Sequence, residues 1–294
     1  MSVFFQIEEY HRPLNLRQAV DILSRSGNSA RVIAGGTDML PLRPGVKKID
    51  PVNDLVDISK LGLDYLKKDG DHICIGAATT IKTIGASTLF ISSPYKALSE
   101  AADAHSTATI RNRATVGGNL CTASACGDLA LPLLVLDAFL VAAGPDGKRH
   151  IPLESFFKGA NYTALNKEEV LLEIRIPLFS EKTGSSFLKL RRHQTAIDMA
   201  VVNVATALTC KNNSCAAAAI ALGSVAPIPF RAKKAESVLS GAKLSTEIIQ
   251  KAAATAAEEA KPIDDVRATS AYRKKMVAIL VRRSLEFSLQ RCAR

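Results

Sequence analysis

Two double glycines, Gly35-Gly36 and Gly117-Gly118, constrain this chain more than any other feature. The first ends a short β-branched run in VIAGGTD, residues 32–38, and the second sits in TVGGN, residues 115–119. Glycine has no Cβ, so the chain can turn sharply and its backbone N–H groups can converge on an anion. Thr37 beside the first pair, and Thr115 and Asn119 beside the second, add further donors. Neither pair belongs to a G-x-G-x-x-G run or to a P-loop, so the Rossmann and NTPase fingerprints are both missing. One such pair reads equally well as a tight turn. Two flanked pairs suit a diphosphate with more than one face to satisfy.

Nine residues after Asn119, SACGDLALP carries Asp128 into an apolar run. A lone acid there suits the hydroxyls of a ribose, or it caps the helix that follows. Both readings stand on the sequence. The six cysteines raise a metal reading, because Cys121/Cys126 and Cys210/Cys215 each enclose four residues. Structural zinc pairs usually enclose two to four, and a ferredoxin-type site needs a further close cysteine. Cys210 ends one apolar segment and Cys215 begins the next, across Lys211-Asn212-Asn213-Ser214. That is a hairpin turn, so the cysteines read as thiols and no metal ligand is assigned.

The net charge of +10 admits nucleic acid, an anionic membrane surface, an acidic partner or an anionic ligand. The charges are dispersed, and no aromatic interleaving or nucleic-acid fold signature accompanies them, so no nucleic-acid partner is expected. The densest basic cluster is Arg273-Lys274-Lys275 with Arg282-Arg283. It presents either a docking face or a solvated one. No uncharged apolar stretch reaches about 18 residues, so no membrane insertion is expected. The opening MSVFFQIEEYHRP lacks the pattern of a secretory signal, and the expected location is cytoplasmic.

A length of 294 residues suggests two domains. Periodicity predicts helices over 14–23, 80–87 and 95–104, and strands over 31–34, 55–60 and 72–80. Residues 128–139 read as an apolar helix or strand. A turn and then a strand occupy 156–177. Past a boundary near 178–185, strands are expected at 186–190, 201–209 and 215–225, the last two paired. Helices follow over 233–239, 246–260 and 270–289. The class is α+β.

Four stretches in this order, AGGTDMLPLRPG, ATIRNRATVGGNLCTASACGDLALPLLVLDA, FFKGANYTALNKEEVLLEIRIP and DDVRATSAYRKKMVAILVRRSLE, resemble the FAD-binding medium subunit of the molybdenum hydroxylases. This is the xanthine dehydrogenase family, and the carbon monoxide dehydrogenase medium subunit is the type. The resemblance covers essentially the whole chain. It implies an FAD-binding region of two subdomains over 1–178, broken near 55–60. A C-terminal domain of a three-stranded antiparallel sheet and a helical bundle then covers 179–294. It assigns FAD contacts to Val32, Ile33, Ala34, Gly35, Gly36, Thr37, Asp38 and Met39 in the first loop. It assigns others to Thr115, Val116, Gly117, Gly118 and Asn119 in the second, with Asp128 at the ribose, Leu171 beside the adenine, and Lys189 near the cofactor. His105 falls at a pocket position that is often apolar or aromatic in the family.

The resemblance further implies non-covalent FAD on an oxidoreductase subunit that is catalytically incomplete alone and has no catalytic residue of its own. It implies a large subunit with the molybdenum cofactor and a small subunit with [2Fe–2S] clusters, as a dimer of heterotrimers. Electrons would pass between those clusters and an external acceptor, or toward molybdenum as in a 4-hydroxybenzoyl-CoA reductase-like dehydroxylase. That reductase carries a cysteine-rich insertion for an extra cluster. Here the matching stretch, FLVAAGPDGKRHIPLESFF, is short and has no cysteine.

Overall fold

The computed structural model describes residues 7–39, 52–179, 182–193, 198–212 and 214–292. The tail of the first glycine motif, residues 40–45, lies outside these, as do residues 180–181 of the expected boundary. Three larger sheets and a two-stranded hairpin organise the described residues. The first is parallel, with strands β1 (Glu9–His11), β2 (Ala30–Ile33) and β3 (Asp54–Asp57) in the order β1-β3-β2. Between β1 and β2, helix α1 (Leu16–Ser26) is capped by Asn15, whose side chain accepts from the Gln18 N–H at 3.0 Å. Gly27, at φ +53°, ends it. Ala19, Val20 and Leu23 form its buried stripe, and Ala19 and Leu23 share a core with Ala30 and Val56.

The second sheet is antiparallel. It runs β4 (Leu66–Asp69), β5 (His72–Gly76), β10 (Val170–Pro177), β6 (Phe139–Gly144) and β7 (Gly147–Pro152). A small hairpin, β8 (Phe157–Gly159) and β9 (Tyr162–Thr163), precedes β10. Helices α2 (Ile81–Ala86), α3 (Lys96–Ala104), α4 (Ala108–Arg111), α5 (Val116–Cys121) and α6 (Ala130–Val135) fall between β5 and β6. The run expected as either helix or strand over 128–139 therefore holds α6 and the first residue of β6. Asp137 at φ +48° turns the chain between them.

The third sheet runs β11 (Thr183–Leu190), β12 (Val202–Lys211), β13 (Ser214–Gly223) and β14 (Phe230–Arg231), all antiparallel. The three long strands are the expected ones, and β14 adds a two-residue edge. The hairpin closes as predicted, with Cys210 opposite Cys215 and Lys211 opposite Ser214. Helices α7 (Lys233–Leu239), α8 (Thr246–Glu259) and α9 (Ser270–Cys292) complete the chain.

Period-2 alternation on β12 and β13 explains the packing. Ala205, Ala207, Ala219 and Ala221 point into the core built by β5, β10 and helices α3, α5 and α6. Val204, Leu208, Ile220 and Leu222 point the other way, onto α7, α8 and α9. Small residues on one face let helices α3, α5 and α6 approach closely. Large ones on the other fill the bundle, each contributing about 2 kcal/mol of burial.

Candidate cofactor site

The first glycine loop leaves β2 at the carboxyl edge of the parallel sheet, the edge where α/β sheets take ligands. The Ile58 N–H binds the Ile33 carbonyl at 3.1 Å, which ties the end of β2 to the segment after β3. The side chains of Ile33 and Met39 pack together with Val52 and Leu55, and Val32 packs toward the α1 core. Val32, Ile33 and Met39 thus face inward. Asp38 is exposed, and Ala34 to Thr37 are half-buried. Gly36 sits at φ +71°, a left-handed conformation. A Cβ on Gly35 would lie 1.9 Å from the Arg113 carbonyl oxygen and 3.2 Å from the Ala114 Cα. Only glycine lets the two loops touch, and they touch there. Among the described residues, no protein acceptor meets the N–H groups of Gly35, Gly36 or Thr37.

The second loop is built differently. Val116 donates its N–H to the Thr79 carbonyl at 3.0 Å and Gly117 to Ala77 at 2.9 Å. Thr115 caps α5 by accepting from the Gly118 N–H at 3.0 Å, and the Asn119 N–H binds the Thr115 carbonyl at 2.9 Å. The N–H groups of residues 116–119, both glycines included, are therefore used within the protein, against the expectation that both glycine pairs would offer donors. Gly117 is needed for packing: a Cβ there would lie 2.6 Å from the Ala77 oxygen. Asn119 leaves its buried side-chain oxygen without a protein partner.

Asp128 is buried against the third sheet, next to the end of α3. Lys189 Nζ, from β11, donates to its Oδ2 at 2.7 Å, and both side chains are almost fully covered. His105 Nδ1 lies 3.2 Å from the same oxygen, and Asn203 Nδ2 donates to Oδ1 at 3.4 Å. Leu129, not Asp128, stands at the N-cap of α6, and that cap makes no side-chain hydrogen bond. The helix-cap reading of Asp128 is thereby removed. The His105 carbonyl accepts from Arg111 Nη1 at 3.1 Å, and that of Ser106, held at φ +41°, accepts from it at 2.9 Å.

Leu171 lies in the core with Val116 and Leu120. A bulge follows it on β10, and Leu172 turns its carbonyl to the Ala77 N–H at 2.9 Å. The structure thus joins the two loops through Gly35 and groups Asp128, Lys189 and His105, with Leu171 in the core below the second loop. Asn203 and Arg113 were not among the expected residues. Asn203 carries no local signal, being 75 residues from Asp128. Arg113 stands in IRNRATVGGN itself.

The cysteines do not converge on one another around this site. Cys121 is exposed and Cys126 half-buried beside Ser124. Burial pushes the Cys215 thiol up to about 11. The C-terminal basic cluster is also not one face. Arg273 turns inward and donates to the Val201 carbonyl at 2.9 Å, the Ser224 carbonyl at 2.8 Å and Asp265 Oδ1 at 2.7 Å. Lys274, Lys275 and Arg283 remain exposed.

Residues 5–179 match the model of the FAD-binding domain in molybdopterin dehydrogenase, and residues 185–287 match the carbon monoxide dehydrogenase flavoprotein C-terminal domain. The chain belongs to the molybdopterin-dehydrogenase FAD-binding family. Among its relatives is the carbon monoxide dehydrogenase medium chain of Hydrogenophaga pseudoflava, 32% identical, with 97% of this chain and 98% of that one covered. The xanthine dehydrogenase FAD-binding subunit of Escherichia coli O157:H7 is 27% identical, with 95% of each covered. A solved carbon monoxide dehydrogenase from Hydrogenophaga pseudoflava, lacking the Mo-pyranopterin moiety of its molybdenum cofactor, superposes with a TM-score of 0.93 at 30% identity. It covers 99% of this chain and 100% of that one. The relatives are oxidoreductase subunits, and this chain is one as well.

The site fits the FAD of a molybdopterin-dehydrogenase FAD-binding subunit. Unpartnered N–H groups suit a diphosphate, the buried Asn119 oxygen suits a donor on the ligand, and Asp128 suits a ribose. No helix among the described residues is long and apolar enough to cross a membrane.

Proposed function

We propose that this chain holds FAD non-covalently between its glycine loops and Asp128, as the electron-transfer subunit of a heteromeric molybdenum hydroxylase in the cytoplasm. One observation carries the reading. The N–H groups of Gly35, Gly36 and Thr37 stand together at the carboxyl edge of a parallel sheet with no protein acceptor among the described residues. Such groups bind phosphate oxygens well. Arg113 and Ala114, which lead into the second glycine pair, brace that loop at Gly35. Asp128 keeps one of its about four lone-pair sites beyond those that Lys189, His105 and Asn203 engage, enough to accept from a ribose hydroxyl. Lys189 offsets the charge of Asp128 in a covered place. Leu171 and its neighbours supply the apolar floor for the adenine.

What FAD supplies when bound is conversion between one- and two-electron transfer. The chain's own part is to hold it, orient it and exclude water, and no side chain here is assigned a proton-transfer role. Substrate chemistry belongs to a large subunit with the molybdenum cofactor, and the electrons arrive through a small [2Fe–2S] subunit. The assembly we infer is a dimer of heterotrimers. The relatives' names as medium chains and FAD-binding subunits support partner subunits here.

Co-purification tests the proposal. A tagged chain is expected to bring down one large and one small subunit and to show an FAD spectrum. Acid precipitation should leave the yellow colour in solution. Colour retained in the pellet would show covalent attachment, and a colourless complex would refute the flavin role.

A further inference from the structure

Arg113 joins the two loops but has no structural task for its side chain. Its carbonyl abuts Gly35, so its Cα stands directly beside the first loop. Its guanidinium is exposed, and among the described residues no carboxylate pairs with it. The neighbouring arginines are engaged: Arg111 binds the His105 and Ser106 carbonyls, and Arg12 lies 3.4 Å from Asp57. The charge of Arg113 extends over the same carboxyl edge of the parallel sheet. It acts on the Tyr10 hydroxyl, which donates to Asp57 Oδ2 at 2.5 Å at the end of β3. The edge thus carries three unpartnered N–H groups at residues 35–37 and one unpartnered guanidinium.

Neutral N–H donors position an anion but do not neutralise it. A diphosphate carries two negative charges, and a guanidinium can take two of its oxygens at once. Lys189 cannot serve this purpose, since it is spent on Asp128 at 2.7 Å.

We propose that Arg113 binds the diphosphate of FAD, completing the donor set of Gly35, Gly36 and Thr37. This rests on the reading of the first loop as the flavin site. The residue is a binding residue with no part in electron transfer, and it selects ligands with a diphosphate over those without one.

The test uses the full chain, stripped of flavin and titrated with FAD by fluorescence quenching. Arg113→Gln is expected to raise the Kd for FAD by about tenfold to a hundredfold, the worth of one charge-assisted hydrogen bond. Arg113→Lys should recover part of the loss. Inorganic pyrophosphate should compete with FAD on the wild type and lose most of that competition on Arg113→Gln. Because the side chain is exposed and unpaired, the melting temperature should not move. Gly36→Val separates the two readings. If it abolishes FAD binding while Arg113→Gln stays within twofold of the wild type, the loop is the flavin site and the role of Arg113 is refuted. If the wild type binds no FAD, or Gly36→Val binds it normally, the loop reading falls and this proposal falls with it.

Discussion

Lys189 and Asp128 form a buried ion pair, 2.7 Å long, between a strand of the third sheet and the segment leading into α6. Their separation of 61 residues makes it a long-range tie. Each charge is covered, so each depends on the other. Removing one partner of such a pair usually costs about 3–5 kcal/mol, because the survivor is left buried and uncompensated. Lys189→Met is therefore expected to lower the unfolding free energy by about 3 kcal/mol. The double variant Asp128→Asn with Lys189→Met should regain much of that. Urea denaturation of the two singles and the double measures it. Additive losses would show that the pair is not coupled.

Gly35→Ala puts a methyl 1.9 Å from a backbone oxygen that belongs to the other loop. Neither backbone can yield without parting the loops. We expect a loss of about 1–3 kcal/mol, the usual size of an overpacking penalty. Flavin retention should fall with it, by more than the loss of stability accounts for. The flavin-to-protein ratio read beside the melting temperature checks this, and a flavin-replete, equally stable variant contradicts the contact.

Gly184 in β11 lies under the end of α9, where a Cβ would meet the Ser288 carbonyl oxygen at 2.1 Å and the Cys292 nitrogen at 2.8 Å. Gly184→Val should lift the last turns of α9 off the sheet. Protease cleavage confined to residues 284–292, together with a drop of about 2–3 kcal/mol in stability, is the expected result. Unchanged protection of that helix end would count against it.

Stability should also fall in acid through Asp265. Burial alone would raise its carboxyl, but the Arg267 N–H, the Arg273 guanidinium and the Ala268 N–H outweigh burial and hold it at about 2. The folded value lies below the ordinary 3.8, so this contribution is full above about pH 5. It is lost as pH falls from about 4 toward 2. The contribution is about 1–2 kcal/mol for this partly exposed carboxylate. Asp265→Asn should flatten that part of the stability curve. Parallel curves for variant and wild type between pH 6 and pH 3 would argue against it.

Much of the architecture is written locally. The helix Lys233–Leu239 and the Cys210–Cys215 hairpin follow from apolar period and turn residues alone. Strand β1 does not. Glu9-Tyr10-His11 is short and polar, and it becomes a strand only by pairing with Asp54–Val56 far along the chain. The run through α6 and β6 is buried on nearly all sides, so no period distinguishes helix from strand, and the break at Asp137 is visible only in its φ. Hairpin β6–β7 is not among the expected elements, although Pro145-Asp146, between the paired Gly144 and Gly147, marks its turn.

The site divides in the same way. The glycine pairs are legible because they are contiguous. Which pair keeps its N–H groups free is set by Ala77 and Thr79, some 40 residues upstream of the second pair, and by the cap at Thr115. A sequence motif names the backbone but not what that backbone is already bonded to.

The seam between the two family-matched stretches is paved with alanines, Ala205, Ala207, Ala219 and Ala221, set against the helices of the first stretch. A methyl group has no rotamers, so it cannot adjust to a neighbour of a different shape. A relative's C-terminal half that carried larger side chains at these four places would therefore press on the helices of this chain's first half.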